Sequence, residues 1–139
     1  MKKKIRLLIV DDDQDYSLSL KMMIMAHYSN IEVVTASGGM EAFRMVQRGN
    51  IDAVLTDVSM PDMDGCELYS KITSFKPEIQ VIMMSAYYDA KHTLVRAKLL
   101  GLKDVVPSLE LIEKRELVER IYDKIEEHFL REEGDNDDK

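Results

Sequence analysis

Asp57 closes an apolar run, Ala53-Val54-Leu55-Thr56, and opens a loop that contains Pro61 and ends near Gly65. That is the pattern of a buried strand delivering one carboxylate to the rim of a sheet, with breakers holding the following chain in a turn. A second apolar run, Ile5 to Val10, ends on Asp11, Asp12 and Asp13. If the two runs are neighbouring strands of a parallel sheet, three or four carboxylates converge on one crevice. Like charges that close repel, and ionising all of them is costly unless a hard cation neutralises the group. Oxygen ligands of this kind suit Mg2+, which takes one or two carboxylates and completes its shell with other oxygens.

The elements that must position these residues are legible as an alternation. Apolar runs at 5–10, 31–35, 53–56, 79–84 and 103–106 predict five strands. Helix-period segments lie between and after them. Tyr16, Leu20, Met23 and Ile24 share one face of the first; Met40, Phe43 and Val46 mark the second; Leu68, Tyr69 and Ile72 mark the third. Leu94, Val95 and Ala97 line the fourth, and Leu117, Ile121, Ile125 and Phe129 the fifth, which is expected to run over 110–131. Strands alternating with helices through short connections predict an α/β fold, a parallel five-stranded sheet covered on both faces. Right-handed crossovers make it a three-layer, doubly wound (βα)5 sandwich. Asp13, Asp62 and Asp64 are expected to be helix caps or loop residues rather than ligands.

Composition narrows the class. The chain has 139 residues, enough for one hydrophobic core without disulfide staples. A formal net charge of −7 argues against direct nucleic-acid binding, which needs a basic footprint. Residues 132–139 hold five acids and one Lys, so this segment carries −4 of the −7 and is expected to be a solvated, disordered tail after a folded unit at 1–131. A single cysteine, Cys66, excludes a disulfide framework and a cysteine zinc site, which fits a reducing cytoplasm. The basic start, Lys2 to Lys4, precedes an apolar run broken by Arg6, too short for an export signal or a membrane span. His27, His92 and His128 stand at no ligand spacing, and ten methionines suggest an adaptable core.

Val10-Asp11-Asp12, the segment Asp57-Val58-Ser59-Met60-Pro61-Asp62-Met63-Asp64-Gly65, and Met84-Ser85-Ala86 together resemble the receiver domain of response regulators in two-component signalling. The resemblance covers about residues 4–130 and implies the flavodoxin-like strand order 2-1-3-4-5. In that order strands 1 and 3 lie side by side at the switch point where doubly wound folds bind ligands. It implies that Asp57 accepts a phosphoryl group and that Mg2+ is held by Asp12, Asp57 and the backbone carbonyl of Ser59, with Asp11 acting mostly through water. Ser85 would donate a hydrogen bond to a phosphoryl oxygen. The donor would be a sensor histidine kinase or a histidine phosphotransfer protein, and the output a protein contact with a downstream partner, or with a second copy of the chain through the long fifth helix. The implied role is signalling rather than turnover.

The resemblance also sets an expectation of departure. Receivers carry a Lys at the end of the fifth strand, usually followed by Pro. Aligning Gly101-Leu102-Lys103-Asp104 with the family pattern puts Ser108 at the Lys position, Leu109 at the Pro position and Val105 at the position of the rotating aromatic. Lys91 is the candidate substitute. Two alternatives follow: a degenerate receiver that works without phosphate as an interaction module, and, more remotely, a haloacid-dehalogenase-type phosphatase. The latter is suggested by Asp11-x-Asp13, but Asp15 stands where that family expects Thr or Val.

Overall fold

The computed structural model describes residues 3–85 and 110–130. Its strands are β1 (Ile5–Val10), β2 (Ile31–Ala36), β3 (Ala53–Asp57), β4 (Gln80–Ser85) and β5 (Glu110–Glu113). Its helices are α1 (Gln14–His27), α2 (Gly39–Arg48), α3 (Gly65–Phe75), α4 (Lys114–Glu119) and α5 (Ile121–His128). The strands form one parallel sheet in the order β2-β1-β3-β4-β5, so β1 and β3 are neighbours.

Alternation along the strands builds two cores. Leu8, Val10, Val54 and Met83 face one side and pack with Val46 of α2 and Leu68 and Ile72 of α3. Leu7, Ile9, Leu55, Ile82 and Met84 face the other and pack with Leu20 and Ile24 of α1, Leu117 of α4, and Ile121 and Ile125 of α5. A strand with both faces buried must read as a continuous apolar run, which is why these segments stand out in the sequence.

Three aspartates hold helix ends, as expected. Asp13 accepts from the Tyr16 N–H at 3.1 Å at the start of α1, and Asp64 accepts from the Glu67 N–H at 2.8 Å at the start of α3. Asp62 reaches across from the loop after β3. It accepts from the N–H groups of Gly39 (3.2 Å) and Met40 (2.9 Å) at the start of α2. Each bond satisfies an N–H that a helix leaves without an internal partner. These backbone bonds, the one from Met40 foremost, lower the Asp62 pKa.

The C-terminal part differs from the sequence expectation. Residues 110–113 are a strand rather than the first turn of a helix, and the helical path begins at Lys114. It bends at Arg120, whose backbone sits at φ −125° and ψ 33°. The Arg120 N–H still donates to the Glu116 carbonyl, and the Lys124 N–H to the Arg120 carbonyl. The segment 103–106, expected as the fifth strand, and the helix expected around Leu94, Val95 and Ala97 lie outside the described residues, as does the acidic tail.

Candidate functional site

Parallel strands end together, so the residues that follow β1, β3, β4 and β5 meet at one edge. Register places Val10 opposite Thr56, Asp57 opposite Met84, and Ser85 opposite Glu113. Asp11 and Asp12 follow β1, Asp57 ends β3, Ser85 ends β4, and Lys114 follows β5. One carboxylate oxygen from each of Asp11, Asp12 and Asp57 lies within 4.8 Å of the other two. Asp11 is fully buried, Asp57 is 7% exposed, and Asp12 faces solvent.

Local hydrogen bonds fix these groups. The Asp13 N–H donates to Asp11 Oδ1 at 2.9 Å, and Gln14 Nε2 donates to the Asp11 carbonyl at 2.6 Å. The Ser59 N–H approaches Asp57 Oδ1 at 3.4 Å, and the Thr56 hydroxyl donates to the Asp57 carbonyl at 3.0 Å. Gly65 closes the acceptor loop: its N–H donates to the Val58 carbonyl at 2.7 Å. A Cβ on Gly65 would stand 2.7 Å from the Asp57 carbonyl oxygen and 3.1 Å from Val58 Cα, both backbone atoms that cannot swing aside. Gly65→Ala is therefore expected to destabilise the protein by about 2 kcal/mol and to disturb the Asp57 loop, readable in urea unfolding.

Lys114 decides the electrostatics. Its Nζ lies 2.6 Å from Asp11 Oδ2 and 3.5 Å from Asp57 Oδ2. This corrects the expectation that the fifth strand offers no Lys. The alignment that put Ser108 there is displaced by six residues from Lys114. Ser108 itself, with Val105 and Lys91, lies outside the described residues. Arg115, not Pro, follows the Lys.

Burial pushes the Asp57 carboxyl up to about 6, repulsion from Asp11 adds to it, and the Lys114 charge only partly offsets them. Burial opposes the Lys114 ammonium, but its hydrogen bond to Asp11 and the charge of Asp57 outweigh that and raise its pKa. One ammonium against three carboxylates leaves a formal charge of −2, which a divalent cation complements. Hard oxygen donors in a compact, partly solvated group fit Mg2+. Ser85 is buried at the end of β4, at the same edge as Lys114.

The model of the response regulator receiver domain matches residues 7–122. The chain belongs to the receiver family. This receiver is 33% identical over 117 residues to the uncharacterized transcriptional regulatory protein YhcZ of Bacillus subtilis, covering 81% of this chain and 54% of that protein. It is 34% identical over 85 residues to the transcriptional regulatory protein GlrR of Escherichia coli, covering 61% of this chain and 19% of that protein. The receiver thus spans about half of one relative and a fifth of the other. The response regulator protein TrrA of Thermotoga maritima, solved with Mg(2+)-BeF, superposes with a TM-score of 0.70 at 26% identity, over 88% of this chain and 97% of that one. The chemotaxis protein CheY4 of Vibrio cholerae shares the fold, with a TM-score of 0.64 at 19% identity, over 86% of this chain and 97% of that one. No helix among the described residues is long and apolar enough to cross a membrane.

Proposed function

We propose that the receiver accepts a phosphoryl group on Asp57 from a phosphohistidine of a sensor histidine kinase or phosphotransfer protein, and signals through protein contacts in the cytoplasm. An Asp57 oxygen attacks phosphorus, the P–N bond to imidazole breaks, and the proton needed by the leaving nitrogen comes from the donor's surroundings. The product is an acyl phosphate. The reading is carried by one observation: Lys114 Nζ sits against Asp11 and Asp57, so a cation already faces the place where phosphoryl charge would arrive. Phosphoryl transfer demands mainly positioning and charge stabilisation of this kind.

Asp11, Asp12, Asp57 and the Ser59 carbonyl would hold Mg2+, which supplies charge neutralisation at the phosphoryl oxygens when bound. Ser85 would donate to a phosphoryl oxygen. The three carboxylates at the end of β1 and β3, and the Mg(2+)-BeF complex of TrrA, support that assignment.

The switch keeps one departure. Stepping back from Lys114 by the interval that separates Val105 from Ser108 reaches Leu111, an aliphatic residue where the family carries its rotating aromatic. The response to phosphorylation is therefore routed without that ring. The phosphate-independent module loses its main ground, the missing Lys. The phosphatase reading needs Asp11 as nucleophile, whereas Asp11 is fully buried and ion-paired.

Intact mass after incubation with acetyl phosphate tests this reading. The expected result is a gain of one phosphoryl group that requires Mg2+ and is absent in Asp57→Asn. A gain that persists in Asp57→Asn contradicts it.

A further inference from the structure

Tyr16, in the first turn of α1, meets Lys114 twice. Its hydroxyl donates to the Lys114 carbonyl at 2.9 Å, and the Lys114 Nζ lies 4.9 Å from the centroid of its ring. Tyr16 is itself fixed by its N–H bond to the capping Asp13. Burial, then the charges of Asp11, Asp57 and Asp13, raise the phenol pKa, so the hydroxyl stays protonated and remains a donor.

Lys114 has reason to need such a hold. It follows a four-residue strand that pairs, among the described residues, with β4 alone, and it opens a six-residue helix. Its side chain has four rotatable bonds and loses considerable freedom when ordered. An aromatic face attracts the ammonium without neutralising it, so the charge stays directed at the carboxylates.

We propose that Tyr16 is the positioning residue for Lys114, its hydroxyl fixing the Lys114 backbone and its ring holding the ammonium toward Asp11 and Asp57. The consequence rests on the phosphoacceptor reading above: Tyr16 acts on phosphoryl transfer through Lys114 and not through the metal ligands. Tyr16→Phe keeps the ring and loses the hydrogen bond, while Tyr16→Leu loses both.

The test is a double-mutant cycle on the full chain, with phosphorylation by acetyl phosphate followed by intact mass and Mg2+ affinity measured separately. In the presence of Lys114, Tyr16→Leu is expected to slow phosphorylation about fivefold and Tyr16→Phe about twofold. Mg2+ affinity should change less than about twofold. In a Lys114→Ala background, Tyr16→Leu should add less than about a twofold loss. Equal losses in both backgrounds would overturn the assignment, because Tyr16 would then act independently of Lys114. Unchanged rates in both Tyr16 variants would overturn it as well. A wild-type chain that takes no phosphoryl group defeats the phosphoacceptor reading and this assignment with it, a result distinct from an active chain that shows no coupling.

Discussion

Lys114→Ala is expected to slow phosphorylation by acetyl phosphate about 30-fold at saturating Mg2+. Removing one preorganised charge donor from a phosphoryl or oxyanion site costs on the order of 10²-fold in rate, and the bound metal retains part of the stabilisation. The same substitution leaves Asp11 and Asp57 facing each other, one fully buried and the other nearly so. Breaking a buried pair from one side is more damaging than replacing both partners, because the surviving charges are left uncompensated. Lys114 is partly exposed, so we expect a loss of about 2 kcal/mol in metal-free unfolding, less than for a fully buried pair. Saturating Mg2+ should recover much of that loss by supplying the missing positive charge. A rate within threefold of wild type would show that another group faces the phosphoryl oxygens. Lys114 has a raised pKa, so its pair with Asp11 contributes below the ordinary Lys pKa and is lost only when pH climbs through the raised value. Throughout the neutral range the ammonium stays charged.

Asp57→Asn should have the opposite sign on stability. In the metal-free protein burial and Asp11 push the Asp57 pKa up to about 6, above the value of about 3.9 for an unfolded chain. Between those values the folded state holds more protons than the unfolded state, so stability falls as pH rises and levels off above about 6. Metal-free Asp57→Asn is therefore expected to be more stable than wild type by about 1 kcal/mol at pH 7.5, after allowing for solvent at the outer oxygen. The difference should shrink toward pH 4. Mg2+ should reverse the order: at about 100 times its dissociation constant, a folded-state ligand stabilises by about 2.7 kcal/mol, and the Asn variant should lose most of that. Protons and metal compete for the same carboxylate, so wild-type Mg2+ affinity should weaken below about pH 6. Thermal melts at pH 5, 6, 7 and 8, with and without Mg2+, read all of these effects. A metal-free Asn variant less stable than wild type at pH 7.5 would contradict the account of Asp57 as a destabilised carboxylate.

The carboxylate half of the site was legible in the sequence, and the ammonium half was not. Leu7 to Val10 and Ala53 to Leu55 are buried on both faces, so they appear as unbroken apolar runs whose ends are plain. Their following aspartates could be located to the residue. The fourth strand was displaced by a single residue, with Ser85 at its end as expected. β5 is different. It has four residues, two of them Glu, and among the described residues it pairs with β4 alone. A short edge strand tolerates charge and leaves little pattern. No Gly or Pro separates Leu111-Ile112 from the helical spacing of Leu117, Ile121 and Ile125, so the strand was absorbed into the helix that follows it. The Gly101 to Asp104 segment then offered a false anchor. The usable signal was an apolar doublet, Leu111-Ile112, followed within two residues by a Lys, mirroring the apolar run that ends on Asp11. The contact between Tyr16 and Lys114 joins residues 98 positions apart, and a single sequence carries no mark of it.

Reduction of the phosphorylated receiver with borohydride, followed by peptide mapping, tests the central claim most directly. An acyl phosphate is reduced to the alcohol, so the modified aspartate becomes homoserine while the unmodified carboxylates survive. Acceptance on Asp57 predicts homoserine at position 57 alone, formed only when Mg2+ is present, in lower yield in Lys114→Ala. Homoserine at position 11 or 12, or no homoserine from a chain that has gained a phosphoryl mass, would contradict it.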